Sequence, residues 1–304
     1  MPLNAAYRKR IEQLKKEFSF LKRGKESLLN MLDEVEVPEG VYNSNAIENS
    51  TLTLKETEKI LFEMEVSRNV ELREVFEAKN LARVMEYIKA KAGTTDLSLP
   101  FILLLHKMLI GNINDAIAGR FRKEGEFVRV GQHIAPAPEQ VTSLMVRAID
   151  HSLNDHESYA LDIVARFHLE FERVHPFCDG NGRIGRVLMN YQLFRLGFPA
   201  IIIRDKEKGI YYQSSRKYDA TKQVQRMEKI VAFALMESLH KRISYLKGQE
   251  IVTLSEYAKK HNLVLNGLIN AARKQTIPAF RERGRWKIGA DSIVTGAKKK
   301  ETRP

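Results

Sequence analysis

Five residues able to act on a phosphate group fall within one run, His175-Pro176-Phe177-Cys178-Asp179-Gly180-Asn181-Gly182-Arg183-Ile184-Gly185-Arg186. His175 can take a proton near neutral pH, which suits a general base. Asp179 is an acceptor-only carboxylate, suited to a Mg²⁺ ion that keeps most of its water and bridges phosphates. The Gly180–Asn181–Gly182 backbone and the Asn181 amide could hold a reacting phosphate. Arg183 and Arg186 lie three apart, so on a helix they share a face, and guanidinium groups make forked contacts to phosphate oxygens. A lone histidine or a lone Gly-Asn-Gly would read as an ordinary loop. The whole set in this order points to a polyphosphate and a nucleophile held together.

Two helices must position these groups. Pro176 disfavours helical geometry at His175, so a helix arriving from about Tyr159 ends there. Gly180 and Gly182 permit a tight turn and a close approach to a ligand. A second helix begins at about Gly182, because Ile184, Val187, Leu188, Tyr191 and Phe194 recur at helical spacing. A glycine-rich loop that opens a helix aims free N–H groups and a positive dipole end at an anion. Elsewhere the periodicity predicts helices from about Ala5 to Leu32, Asn69 to Lys91, Leu99 to Ile110, Pro138 to Leu153 and Thr221 to Lys247. Thr53-Leu54-Lys55-Glu56 reads as a capping box opening a further helix.

The run resembles the core motif of the Fic family, HPFx[D/E]GN[G/K]RxxR, and every defined position is matched. The resemblance implies transfer of AMP from ATP to a protein Ser, Thr or Tyr hydroxyl with release of pyrophosphate. It implies His175 as the base and Asp179 as the Mg²⁺ residue. It assigns the α-phosphate to Gly180, Asn181 and Gly182, and the β- and γ-phosphates to Arg183 and Arg186. Gly182 stands where the related Doc-type kinases carry lysine, which favours AMP transfer over phosphorylation. UTP, GTP or CDP-choline as donors, and removal of AMP as a reverse activity, stay open.

Three other stretches resemble parts of the same family. Ser44-Asn45-Ala46-Ile47-Glu48-Asn49 is similar to the inhibitory motif [S/T]xxxE[G/N], which implies that Glu48 pairs with Arg186 and displaces the γ-phosphate. Phe127 to Val130, bounded by Gly125 and Gly131, reads as an extended segment or hairpin. Its position resembles the flap that holds a target by strand addition, with Val128, Arg129, Val130 and Gly131 bordering the nucleotide. His133 reads as structural or solvent-facing. Tyr211, Tyr212 and Asp219 stand where the family places residues around adenosine. An Asn is expected near position 219, and a carboxylate accepts but cannot donate there.

The chain has 304 residues, 43% of them hydrophobic, enough for a full core and more than one domain. The expected fold is all-α: a Fic-type helical bundle with a small β-hairpin flap and a C-terminal winged helix-turn-helix. The expected domains are 1–95 with the inhibitory motif, 96–247 catalytic, 248–295 winged helix-turn-helix and 296–304 a basic tail. No apolar run reaches a membrane span, and the first residues lack an apolar signal core. The one cysteine, Cys178, excludes an internal disulfide, so a cytoplasmic setting is expected. Residues 251–304 hold 12 Lys+Arg against 4 Asp+Glu. There Thr253 to His261 and Leu265 to Lys274 read as short helices, followed by a hairpin turning at Gly284. The alternative function is therefore an ATP-responsive DNA-binding regulator. Expected partners are a hydroxyl-bearing protein, which could be the chain itself, and DNA; a homodimer stays open, and no membrane is expected.

Overall fold

The computed structural model describes residues 4–66, 69–131 and 133–294. The expected basic tail at 296–304 lies outside them. In chain order the elements are α1 (Ala5–Leu21), α2 (Glu26–Ile47), α3 (Leu54–Glu58) with a following π turn (Lys59–Glu63), α4 (Leu72–Lys91) and α5 (Leu99–Ile110). A two-stranded hairpin, β1 (Arg129–Val130) and β2 (His133–Ile134), precedes α6 (Pro138–Asn154), α7 (Ala160–Val174) and α8 (Asn181–Arg195). Then come α9 (Lys208–Thr221), α10 (Gln225–Leu246), β3 (Ile251–Thr253), α11 (Leu254–Lys260), α12 (Leu265–Arg273), β4 (Ala279–Glu282) and β5 (Arg285–Gly289). The chain is helical, as its periodicity requires.

One expected helix divides and another starts four residues later than expected. The segment from Ala5 to Leu32 breaks because Gly24 takes φ +71, leaving α1 and α2 separate. The helix expected from Thr221 to Lys247 begins instead at Gln225, because Thr221 closes α9 and Lys222 caps it with a left-handed φ of 56. The helix α9 itself and strand β3 lack a strong periodic signal in the sequence. The capping box at Thr53 and Glu56 forms as read.

Two compact units emerge, one spanning Val37–Val231 and the other joining the segments up to Glu36 and from Ala232; α2 and α10 each run across the division. In the first unit α8 is buried on nearly every face, which marks it as the central rod. It packs against α4, α5 and α7, and α7 also packs against α6 and α9. Phe167, Phe171, Phe177, Ile184 and Leu188 meet Leu81, Val84, Ile102 and Leu105 in one core. The buried Asn80 on α4 donates to Leu109 O at 3.0 Å and Gly111 O at 2.8 Å, closing the C-terminal end of α5.

In the second unit Ile11, Leu14 and Phe18 are buried on α1, and Arg242 is held by Asp33 and Glu36 at 2.6 and 2.7 Å. Its C-terminal part is two short helices and a three-stranded antiparallel sheet of order β3-β5-β4, with a small core of Leu254, Tyr257, Leu268, Ile277 and Ile288.

Asn80→Ala strands one buried and one partly buried carbonyl. It is expected to destabilise the protein by about 1–3 kcal/mol, measured as a lower urea midpoint with an unchanged m-value.

Candidate functional site

His175 is the C-cap of α7, with φ 49 and ψ 60, and its N–H donates to Phe171 O at 2.9 Å. Pro176 disfavours continuation of the helix through His175. The imidazole Nδ1 lies 3.2 Å from Glu172 O. A carbonyl can only accept, so Nδ1 carries the proton and Nε2 keeps its lone pair. Burial holds the His175 pKa down at about 4, so the ring is neutral at pH 7.

The turn from His175 into α8 is clasped by Asn181. Its Oδ1 accepts from Phe177 N at 2.9 Å and its Nδ2 donates to Phe177 O at 2.8 Å. The Asn181 amide, read in the sequence as a phosphate ligand, is therefore committed to the loop backbone. What remains for an anion is the set of first-turn N–H groups of α8, which have no intrahelical acceptor. Gly180 caps the helix at φ 79, and an added Cβ there would press on Ile110 at 3.0 Å.

Two positioning residues carried no legible signal in the sequence. His106 on α5 accepts from Gly119 N at 3.0 Å through Nδ1, so its Nε2 bears the proton and donates to Asp179 O at 3.0 Å. Its ring stacks on Phe177 with centroids 3.7 Å apart. Arg122, buried, donates to His175 O at 2.9 Å, Glu126 O at 3.0 Å and Pro136 O at 2.8 Å. It thereby ties both stems of the hairpin to the end of α7. An isolated histidine on an apolar helix and an arginine before a hairpin have no pattern that announces such roles.

The charged groups face one another. Asp179 meets Arg183 at 3.2 Å and Arg73 at 2.5 Å. Burial raises the Asp179 pKa, but Arg183 and Arg73 outweigh it and hold the carboxyl below its usual range. Arg186 is buried; its Nη2 donates to Glu48 Oε1 at 2.8 Å and its Nε to Ser44 Oγ at 2.9 Å. A Cβ at Gly182 would collide with Glu48 Oε1. Arg183 Nε and Arg186 Nη1 are buried donors with no hydrogen-bond acceptor, which is what an anion site looks like before its ligand arrives.

Of the remaining site residues, the structure brings some to the motif and not others. Tyr212 OH donates to Ile47 O at 2.8 Å, so it holds the end of α2 beside Glu48. Tyr211 is buried, its OH 2.7 Å from His168 Nε2, with the Arg186 guanidinium 5.9 Å from its ring centroid. Asp219 lies 3.9 Å from His133 Nδ1 and 3.9 Å from Arg173 Nε, nearer the hairpin than the motif turn. His133 Nε2 is 2.9 Å from Arg173 O, which fits the structural reading of that residue. Val128, Arg129, Val130 and Gly131 form the first half of the hairpin, with Arg129 opposite Ile134 and Val130 opposite His133. Phe127, Val130 and Ile134 are exposed there. Among the described residues no group of three or more His, Cys, Asp or Glu side chains could cage a metal. One carboxylate beside an anion site still fits Mg²⁺, which binds through one or two carboxylates and the substrate phosphates.

Residues 96–193 match the Fic/DOC family model. The curated relatives it matches include a protein adenylyltransferase Fic of Drosophila grimshawi, 35% identical over 57% of this chain and 36% of that protein, and its counterpart in Drosophila melanogaster, 34% identical over 57% and 35%. The chain thus spans little more than a third of the length of these relatives. Among solved structures, a Fic domain containing signaling protein from Bacteroides thetaiotaomicron superposes with TM-score 0.72 at 26% identity, covering 79% of this chain and 97% of that one. Fic-1 from C. elegans gives TM-score 0.69 at 27% identity, covering 78% and 70%.

The buried imidazoles set an acid limit on stability. The His106 and His175 pKa values are lowered by burial to about 4, and that of His168 to about 3. In the unfolded chain they titrate near 6.5. As pH falls from about 6.5 towards those values, the unfolded state binds more protons, so stability falls through that window. His106→Phe keeps the stack on Phe177 and removes one such group. Urea unfolding at several pH values between about 7 and 4 should show a shallower acid loss for this variant than for the parent chain, along with a lower stability at pH 7 from the two lost hydrogen bonds.

Proposed function

We propose that this chain transfers AMP from ATP to a hydroxyl side chain of a protein and is restrained by Glu48. The observation that carries the reading is the tautomer of His175: Nδ1 is committed to Glu172 O, 3.2 Å away, and Nε2 is free to take a proton beside the anion-binding start of α8. In the reaction the target hydroxyl gives its proton to His175 Nε2. Its oxygen bonds to the α-phosphorus as the bond to the β-phosphate bridge breaks, and pyrophosphate leaves. The first-turn N–H groups of Asn181 and Gly182 receive the α-phosphate, the Gly180 N–H being bonded to Asp179 Oδ1 at 2.6 Å, and Arg183 and Arg186 receive the outer phosphates. Asp179 would hold a Mg²⁺ ion brought with ATP, and such an ion would offset the phosphate charge. The hairpin strand Val128–Gly131 takes the target segment by backbone pairing, beside its exposed apolar side chains. Tyr212 and Asp219 line the approach to the nucleoside.

Restraint follows from Arg186 having one strong anionic partner at a time. With Glu48 on it at 2.8 Å, the outermost phosphate loses its cation. Incubation with labelled ATP, Mg²⁺ and cell lysate checks both roles. Glu48→Gly is expected to raise protein labelling at least about tenfold, the effect of freeing one charge-assisted contact, and His175→Ala to abolish it in either background. Equal labelling by the parent chain and Glu48→Gly would reject the restraint, and undiminished labelling by His175→Ala would reject the base.

The C-terminal helices and sheet support a second reading, an ATP-responsive DNA-binding regulator in which they act as a winged helix-turn-helix. On α12, Asn266, Asn270 and Arg273 are exposed and lie one or two turns apart. Full-length protein is then expected to shift duplex DNA in a gel, with affinity falling steeply between about 50 and 200 mM salt, and Arg273→Ala to weaken it. Absence of a shift at low salt would leave the accessory unit without this role.

A further inference from the structure

Asp179 is closed into a ring of alternating charge that the motif does not define. Arg73 on α4 reaches Asp179 Oδ2 at 2.5 Å and Glu77 Oε1 at 3.1 Å. Arg183 reaches Asp179 Oδ1 at 3.2 Å and the same Glu77 Oε1 at 3.0 Å. Two guanidinium groups and two carboxylates thus form a closed circuit in which each charge meets two of opposite sign.

The members differ in freedom. Arg183 is 4% exposed at its side chain, and Glu77 12%, so both are fixed. Arg73 is 53% exposed, and little packing holds its guanidinium in place. The ring borders a cavity of about 340 Å³ whose wall adds Glu48, Glu71 and Glu74. Five carboxylates therefore face two cations in the lining of that cavity. A space so acidic repels a polyphosphate and attracts a cation. Arg183 Nε, buried and without an acceptor, marks the side of the ring on which an anion is wanted.

We infer that Arg73 is a stand-in cation: it occupies the Asp179 oxygen that a divalent ion takes, and it must swing into solvent before that ion can bind. This rests on the reading of Asp179 as the cation-bearing residue in AMP transfer. The consequence is an ordered site. Without a divalent ion, Arg73 keeps Asp179 neutralised and Arg183 correctly placed through Glu77. With the ion present, Asp179 exchanges one positive partner for another, and the released guanidinium is free to face the incoming phosphates. Glu77 acts as a positioning residue in both states, because its hold on Arg183 does not involve Asp179. No motif signal marks Arg73 or Glu77, since both lie before the matched residues 96–193.

Binding of Mn²⁺ to the full chain without nucleotide, followed by the electron paramagnetic resonance signal of the free ion, tests the inference. Arg73→Gln is expected to tighten Mn²⁺ binding about tenfold, as removal of one charge-assisted competitor would. Arg73→Lys, which keeps a cation within reach, should stay within about threefold of the parent chain on the same scale. Adding Asp179→Asn to Arg73→Gln should erase the gain. The inference is overturned if Arg73→Gln binds Mn²⁺ no more tightly than the parent, or if the gain survives loss of the Asp179 carboxylate. A parallel titration of ATP in the presence of Mn²⁺ separates the two readings. Failure of ATP to bind the parent chain, alongside an intact Arg73→Gln gain, would sink AMP transfer and leave the stand-in cation standing.

Discussion

One short clasp fixes the geometry on which this site depends: the Asn181 side chain closes on both the N–H and the C=O of Phe177. It joins the end of α7, which carries His175, to the start of α8, which carries the free amide donors. A side chain that satisfies two backbone groups at once leaves the turn with a single conformation. His106 and Arg122 then brace that turn from outside, the first through Asp179 O and the second through His175 O. The His175 ring and the first-turn amides of α8 are held at a set separation by these hydrogen bonds.

Arg186 imposes the second constraint. A guanidinium enclosed this fully requires an anion, and Ser44 and Glu48 supply acceptors from the end of α2. Several contacts hold that end in place. Tyr212 binds Ile47 O, Asn43 accepts from Asp205 N at 3.0 Å, Arg204 pairs with Glu39, and Glu74 accepts from Ser50 and Thr51. Gly182 is part of the same fit, because only a residue without Cβ leaves room for the Glu48 carboxylate. The glycine at this position thus has a steric role alongside its backbone one.

Burial also sets the protonation states around the site. Glu172 lies 4.0 Å from His175 Nδ1 and from His168 Nε2. Burial first, and then the Glu48 charge, push its pKa up to about 8. Its neutral form is therefore favoured in the folded chain, and its cost to stability accumulates as pH rises from the ordinary carboxyl range through that value. The histidines act in the opposite direction on the acid side. Together they place greatest stability between the two limits, which is where His175 is unprotonated and able to accept a proton.

The sequence alone determined the chemistry-bearing run, the helices that meet at His175 and Asn181, the hairpin before α6 and the capping box at Thr53; the pairing of Glu48 with Arg186 was implied only by resemblance to a family motif. These are local patterns: a proline that ends a helix, glycines that open one, apolar residues at helical period, and a motif with fixed spacing. Tertiary structure alone decided what Asn181 holds, why His106 and Arg122 matter, where Arg73 and Glu77 reach, and that Tyr211 is buried while Tyr212 binds α2. Arg73 and Asp179 are 106 residues apart in the chain, and Arg122 and His175 are 53 apart. Contacts at such separation depend on how whole helices pack, and packing leaves no periodic mark on the residues it brings together. The break at Gly24 escaped for a related reason: it rests on one left-handed residue within a run whose polar and apolar spacing still looks helical.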